Sequence, residues 1–261
     1  VQPRADIDTS SLKGRSVLIT GGASGLGEEM ARQFVRAGAF VTIADLSAKN
    51  GERLVSELGE EHAAFAQCDV TVWQSQLNAF KTAVARSPTK QIDIGATPRR
   101  ESPQLTPCPP DAPTPDADPI EPSLITGRIN FLGMQYTAKL ATHYLCPARN
   151  KSPTPRALIF TCSMAGYADQ PYSPEYNASK WGVRGLLRSL RCTNPTHGIR
   201  TNGIAPTFVK TGILVPDWMA FLEGKGVKFA DKEDVGRAVM RIAADGEMNG
   251  ARLSLVPTYC H

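Results

Sequence analysis

The chain of 261 residues lacks any apolar run near the ~20 residues that a membrane-spanning helix needs, which excludes a helical membrane span. Its opening, Val1 to Ser11, is polar and lacks the apolar centre of a secretory signal. The six cysteines (68, 108, 146, 162, 192 and 260) form no CxxC pair. Cys68 and Cys162 fall inside apolar, strand-like runs, which reads as reduced thiols in a cytoplasmic protein. The four histidines stand apart from one another, so no metal site is suggested. A basic cluster is missing too: the net charge is +4 and Arg99-Arg100 is the one tight pair, which argues against a nucleic-acid surface. No period of a solenoid repeat appears.

Glycine and proline are plentiful by contrast, at 22 and 20. Ten of the prolines lie between Pro88 and Pro122. Each lacks an N–H and fixes φ, so that stretch cannot be a helix interior or a central strand. It is either a solvated surface loop or a shaped wall of the active site. Loops beyond ~15 residues within a compact domain are usually functional or disordered, and the CPPDAP core from Cys108 to Pro113 is stiff.

On either side, short apolar runs alternate with longer helical patterns. Strands are expected at 16–20, 40–44, 63–68, 91–95, 157–162, 199–204 and 252–256. Helical spacing runs through Met30, Phe34 and Val35 to Gly38, then over 47–58, 72–85, 123–145, 175–192, 217–222 and 231–244. Asp231 is the expected cap of the last helix, with Asp234 at the N3 position. Such alternation implies right-handed βαβ units in a Rossmann-like, doubly wound parallel α/β sheet. The whole chain, 1–261, reads as a single domain with an inserted or remodelled Pro-rich loop at about 96–122.

The first strand leads into Thr20-Gly21-Gly22-Ala23-Ser24-Gly25-Leu26-Gly27, which opens the first helix. Glycines there let backbone approach a pyrophosphate, and a helix N-terminus offers free N–H groups with a positive dipole end. Asp45 ends the second strand, where a carboxylate accepts hydrogen bonds from a ribose 2′-OH and repels a 2′-phosphate, favouring NAD. Lys49 is near and keeps NADP open. Asp69, after the third strand, reads either an adenine amino group or caps the following helix. Further along, Tyr176 and Lys180 stand in a YxxxK spacing on one helix face. A lysine ammonium beside a phenol stabilises its anion and suits it to acid–base work. Ser163, at the end of the preceding strand, can hold a substrate oxygen.

These features together resemble the short-chain dehydrogenase/reductase family, from about Gly14 to Pro257. The resemblance implies a catalytic set of Asn130, Ser163, Tyr176 and Lys180, with hydride transfer at the nicotinamide, Tyr176 as proton donor and Lys180 on the nicotinamide ribose. It implies cofactor contacts from Gly21, Ser24, Gly25, Leu26, Gly27, Asp45, Asp69, Val209 and Thr211, and a homodimer or homotetramer. Three departures stand out. The family's Asn-Asn-Ala-Gly motif is replaced by Ile94-Gly95-Ala96-Thr97-Pro98-Arg99, its Pro-Gly by Pro206-Thr207, and its terminal Asp-Gly-Gly by Val256-Pro257-Thr258.

The PPDAP run is similar to a loop of fungal short-chain reductases that build bridged indole alkaloids of the malbrancheamide and paraherquamide type. That likeness implies NADP, and reduction of an iminium coupled to an intramolecular [4+2] cycloaddition. An aspartate and an arginine would then matter more than the tyrosine, and Asp169 and Arg128 are the candidates; otherwise they are a solvated loop acid and a surface helix residue. Apolar residues between Thr207 and Phe229, among them Phe208, Trp218, Met219 and Leu222, suit a large hydrophobic substrate, or else pack internally or against a second subunit. Trp181 is expected in the core or at the subunit face. Two other functions stay open: an ordinary carbonyl reductase or alcohol dehydrogenase using Ser163, Tyr176 and Lys180, and a binding module without redox activity.

Overall fold

The computed structural model describes residues 7–97, 121–151, 153–170, 173–210 and 216–255. Seven strands form one parallel sheet: β1 (Ser16–Thr20), β2 (Phe40–Asp45), β3 (Ala63–Gln67), β4 (Ile94–Thr97), β5 (Arg156–Thr161), β6 (Ile199–Pro206) and β7 (Arg252–Leu255). Their spatial order is β3-β2-β1-β4-β5-β6-β7, so the winding reverses between β1 and β4. Ligands of open α/β sheets bind in the crevice at the carboxyl ends of strands flanking such a reversal. Strands β1 and β6 are buried along their whole length, as fits a sheet covered on both faces.

Helices α1 (Gly25–Arg36) and α8 (Lys232–Ala244) cover one face; α3 (Trp73–Arg86), α5 (Gly133–Leu145) and α6 (Pro174–Thr193) cover the other. Helix α2 (Ala48–Leu58) packs beside β2 and β3, and α7 (Pro216–Gly224) follows β6. On the first face, Met30 and Phe34 of α1 meet Val17, Ile19, Val41 and Ile43 of the sheet and Val235 and Val239 of α8. On the second, Phe80, Met134, Leu140, Val183 and Leu187 close over Leu18, Leu158 and Phe160. Buried Arg200 of β6 fastens the end of α8, donating to the carbonyls of Ile242, Ala243 and Met248. Burial, reinforced by Arg15, pushes its guanidinium down to about 10.

Several expected boundaries shift. The fourth strand is Ile94–Thr97, not 91–95. Lys90 turns the chain in the left-handed region at φ 55°, and the buried Asp93 carboxylate accepts from Ser16 N and Asn150 Nδ2, tying the strand's base in place. The helix expected over 123–145 begins later and is not uniform: a short α4 (Ile125–Gly127) widens into a π-turn (Arg128–Leu132) before α5. Asp231 stands at the N-cap of α8, but its side chain makes no capping hydrogen bond; Glu233 and Asp234 supply the favourable charge in the first turn. Trp181 does not enter the core. It is 45% exposed, because position 181 faces away from the side of α6 that buries Lys180 and Val183.

Candidate active site

The turn between β1 and α1 is shaped by glycine for two separate reasons. Gly21 and Gly25 have φ of 74° and 57°, where a side chain would be strained. Gly27 has an ordinary φ but no room: a Cβ there would lie 2.1 Å from the Gly21 carbonyl oxygen. Helix α1 therefore starts hard against the turn, with Ser24 as an extended N-cap. The first amides of any helix have no intrahelical partner, and here they point out of the crevice end of β1. Asp45 reaches back across the gap. Its Oδ2 accepts from Ala23 N at 3.0 Å and its Oδ1 from Ser47 N at 3.0 Å. The carboxylate is thus held, half-buried, beside the turn. Thr20 Oγ1 is buried there without a hydrogen-bond partner.

Asp69 does not cap α3. Its Oδ1 accepts from Thr71 N at 2.8 Å and Thr71 Oγ1 at 2.7 Å, closing a local turn, and Val72 occupies the cap position. The carboxylate competes for nearby backbone, which draws such residues into turns.

A second group gathers where β5 ends and α6 begins. Lys180 is 2% exposed, and its ammonium donates to Thr161 O at 3.2 Å. It lies 5.5 Å from the centroid of the Tyr176 ring. Burying an ammonium is costly unless it is bonded and serves a purpose. Ser163 leads the 3₁₀ turn Met164–Gly166, and its Oγ accepts from Ala165 N at 3.2 Å. The oxygen is used as an acceptor, so its own hydrogen stays available to a substrate oxygen. Asn130, fully buried in the π-turn, donates to Ser179 Oγ at 3.3 Å, and Ser179 Oγ donates to the Tyr176 carbonyl at 2.7 Å. Asn130 Oδ1 has no hydrogen-bond partner. The π-turn widens the backbone where Asn130 must reach α6, a recurrent use of this irregularity at functional sites.

Asp169 and Arg128 are both exposed, and no hydrogen bond or ion pair joins them among the described residues. Thr211, Pro98 and the CPPDAP run lie outside the described residues. Val209 is buried and forms a parallel bridge with Ala230, beside the edge-on pair Phe208–Phe229. In place of the missing Asn-Asn-Ala-Gly motif, buried Thr97 donates to Ile159 O and accepts from Thr161 N, stitching β4 to β5 with its side chain.

A family model described as Enoyl-(Acyl carrier protein) reductase matches residues 21–247. The chain belongs to the short-chain dehydrogenase/reductase family. It is 37% identical over 270 residues to the 5′-hydroxyaverantin dehydrogenase of Dothistroma septosporum, covering 97% of this chain and 87% of that one. Identity to the 5′-hydroxyaverantin dehydrogenase of Emericella nidulans is 34% over 269 residues, covering 96% and 87%. Among solved structures, 3-hydroxyacyl-CoA dehydrogenase type-2 from Mycobacterium avium superposes with a TM-score of 0.77 at 26% identity, covering 96% of this chain and 97% of that one. The protein is accordingly an oxidoreductase of this family that uses a nicotinamide cofactor. The residues present fit such a group: a cradle that a Cβ would fill, open first-turn amides, and an unpartnered buried hydroxyl at its edge.

Proposed function

We propose that the protein interconverts a secondary alcohol and a ketone on a hydroxylated fungal metabolite, with Ser163, Tyr176 and Lys180 as the working set. The buried Lys180 ammonium beside the Tyr176 ring carries this reading. Gly21, Ser24, Gly25, Leu26 and Gly27 would hold the pyrophosphate of the cofactor, and Asp45 and Lys180 its two riboses. When bound, a nicotinamide supplies or accepts the hydride. The chain's own residues do the rest. Ser163 holds the substrate oxygen by its free hydrogen, Tyr176 gives or takes the proton there, and Lys180 keeps positive charge beside the phenol. Asp45, held by two amides, favours NAD over NADP, because a fixed carboxylate meets a ribose hydroxyl well and a 2′-phosphate badly. The names of the two fungal relatives, each a dehydrogenase of a hydroxylated compound, agree with the substrate class.

Iminium reduction with cycloaddition is the second reading from sequence. It draws on a proline-rich run beyond the described residues and on Asp169 and Arg128, which are both exposed. A single comparison separates the two. With the bicyclic alcohol α-tetralol and NAD, Tyr176→Phe is expected to lower turnover by roughly 10²–10⁴-fold, the usual worth of a positioned acid–base group. A larger loss from Asp169→Asn than from Tyr176→Phe would overturn the alcohol–ketone reading.

A further inference from the structure

Ser163 can act with Tyr176 only if the turn that carries it is fixed against α6. The turn has its own internal bonds, Gly166 N to Ser163 O and Tyr167 N to Met164 O, but these set its shape and not its place. Ser254 of β7 donates to Met164 Sδ at 3.1 Å, and the remaining side-chain bonds to the turn come from the helix. Asn177 Nδ2 donates to Ala165 O at 3.0 Å and to Ala168 O at 3.3 Å. Two helical turns further on, Arg184 Nη1 donates to Gly166 O at 3.0 Å. The Arg184 guanidinium also lies 4.4 Å from the Tyr167 ring centroid and 4.8 Å from that of Trp181, held between the two aromatic side chains. Gly166 completes the contact: a Cβ on it would sit 2.8 Å from the carbonyl oxygen of Lys180 itself. Residues 177, 180 and 184 recur at the helical spacing, so one stripe of α6 bears both the catalytic ammonium and the side chains that grip the turn.

We propose that Asn177 and Arg184 are positioning residues that lock the Ser163 turn in register with Tyr176 and Lys180; for its kinetic consequence this rests on the alcohol–ketone reading above. A displacement of about 1 Å at a reacting group can cost 10²-fold in rate. Neither residue needs to touch substrate for its loss to be felt.

The test has two arms. Hydrogen exchange reads the lock directly: Asn177→Ser is expected to speed amide exchange across 163–168 by roughly tenfold or more, with the β-sheet unchanged. Arg184→Lys, which keeps the charge but loses the planar stack, is expected to give a smaller rise and guards against one variant failing to fold. Kinetics read the consequence: Asn177→Ser should lower kcat/KM for α-tetralol by roughly 10–100-fold, and most of that loss should vanish in the Ser163→Ala background. Unchanged exchange in both folded variants overturns the proposal, as does an equal loss in the two backgrounds. Should Ser163→Ala itself leave turnover untouched, the reaction reading fails while the exchange arm still decides the lock.

Discussion

Two turns at the crevice end of the sheet do comparable work by different means. The turn after β1 is shaped by its own backbone, with left-handed φ at Gly21 and Gly25 and a Gly27 so close to Gly21 that no side chain fits, while Gly21 N and Gly22 N donate to Ala44 O near the end of β2. The turn after β5 has ordinary backbone angles at Ser163 and is held from outside, by Asn177 and Arg184 of α6. The shape of the first turn is a local demand, so it appears as glycines at fixed spacing. The fastening of the second is made across 12 to 18 residues of chain, by residue types that are unremarkable wherever they stand on a helix. Dinucleotide binding is therefore written in a short motif, while the placement of Ser163 is written in contacts.

The comparison breaks most sharply at Gly27. Replacing it with valine sets a branched side chain against backbone 2.1 Å away, which cannot yield as a flexible side chain would. Overpacking costs about 1–3 kcal/mol even among side chains. Gly27→Val is expected to weaken NADH binding by roughly 100-fold and to lower the melting temperature. Calorimetric titration with NADH measures the first effect directly. Retained affinity would mean that α1 can retreat from the turn.

Gly166→Ala asks the same question of the other turn and should return a different answer. The added Cβ meets the Lys180 carbonyl at 2.8 Å, so the turn must move by a few tenths of an ångström. A loss of roughly tenfold in kcat/KM is expected from displaced Ser163, with a melting temperature lower by about 2–4 °C per kcal/mol of strain. NADH affinity should stay as it was. If affinity and turnover fall together, the two turns are not independent and the contrast between them is wrong.

The limits of sequence reading follow the same division. The alternation of strands and helices, the doubly wound parallel sheet and the glycine turn before α1 were legible because each depends on residues near in sequence or on a short period. The π-turn was not: its Asn130 bonds to Ser179 on another helix, a partner far off in the chain. Arg200 was invisible for a like reason: nothing in a strand sequence says that its guanidinium will collect two carbonyls at the end of α8 and a third, of Met248, just beyond it. Asp69 shows the converse. A carboxylate just before a helix fits a capping role, yet it closed a turn with Thr71 two residues on and left the cap to Val72.

Asp45 joins the two kinds of fastening, and the smallest loss of turnover is expected there. Its carboxylate ties the end of β2 to the glycine turn through Ala23 N, beside the bonds from Gly21 N and Gly22 N to Ala44 O. It also places negative charge where a cofactor ribose would lie. Asp45→Asn separates these roles. The amide oxygen can still accept from Ala23 N, which keeps the tie to the turn, while the charge that repels a 2′-phosphate is gone. At this half-exposed position a unit charge a few ångströms away is worth on the order of 1–2 kcal/mol, so the ratio of kcat/KM with NAD to that with NADP should fall by roughly tenfold. Absolute turnover with NAD should drop far less than it does in Gly166→Ala. A ratio that stays put, with NAD turnover reduced, would assign Asp45 to holding the turn and remove the argument for NAD. A ratio that moves while the melting temperature does not would assign it to choosing the cofactor.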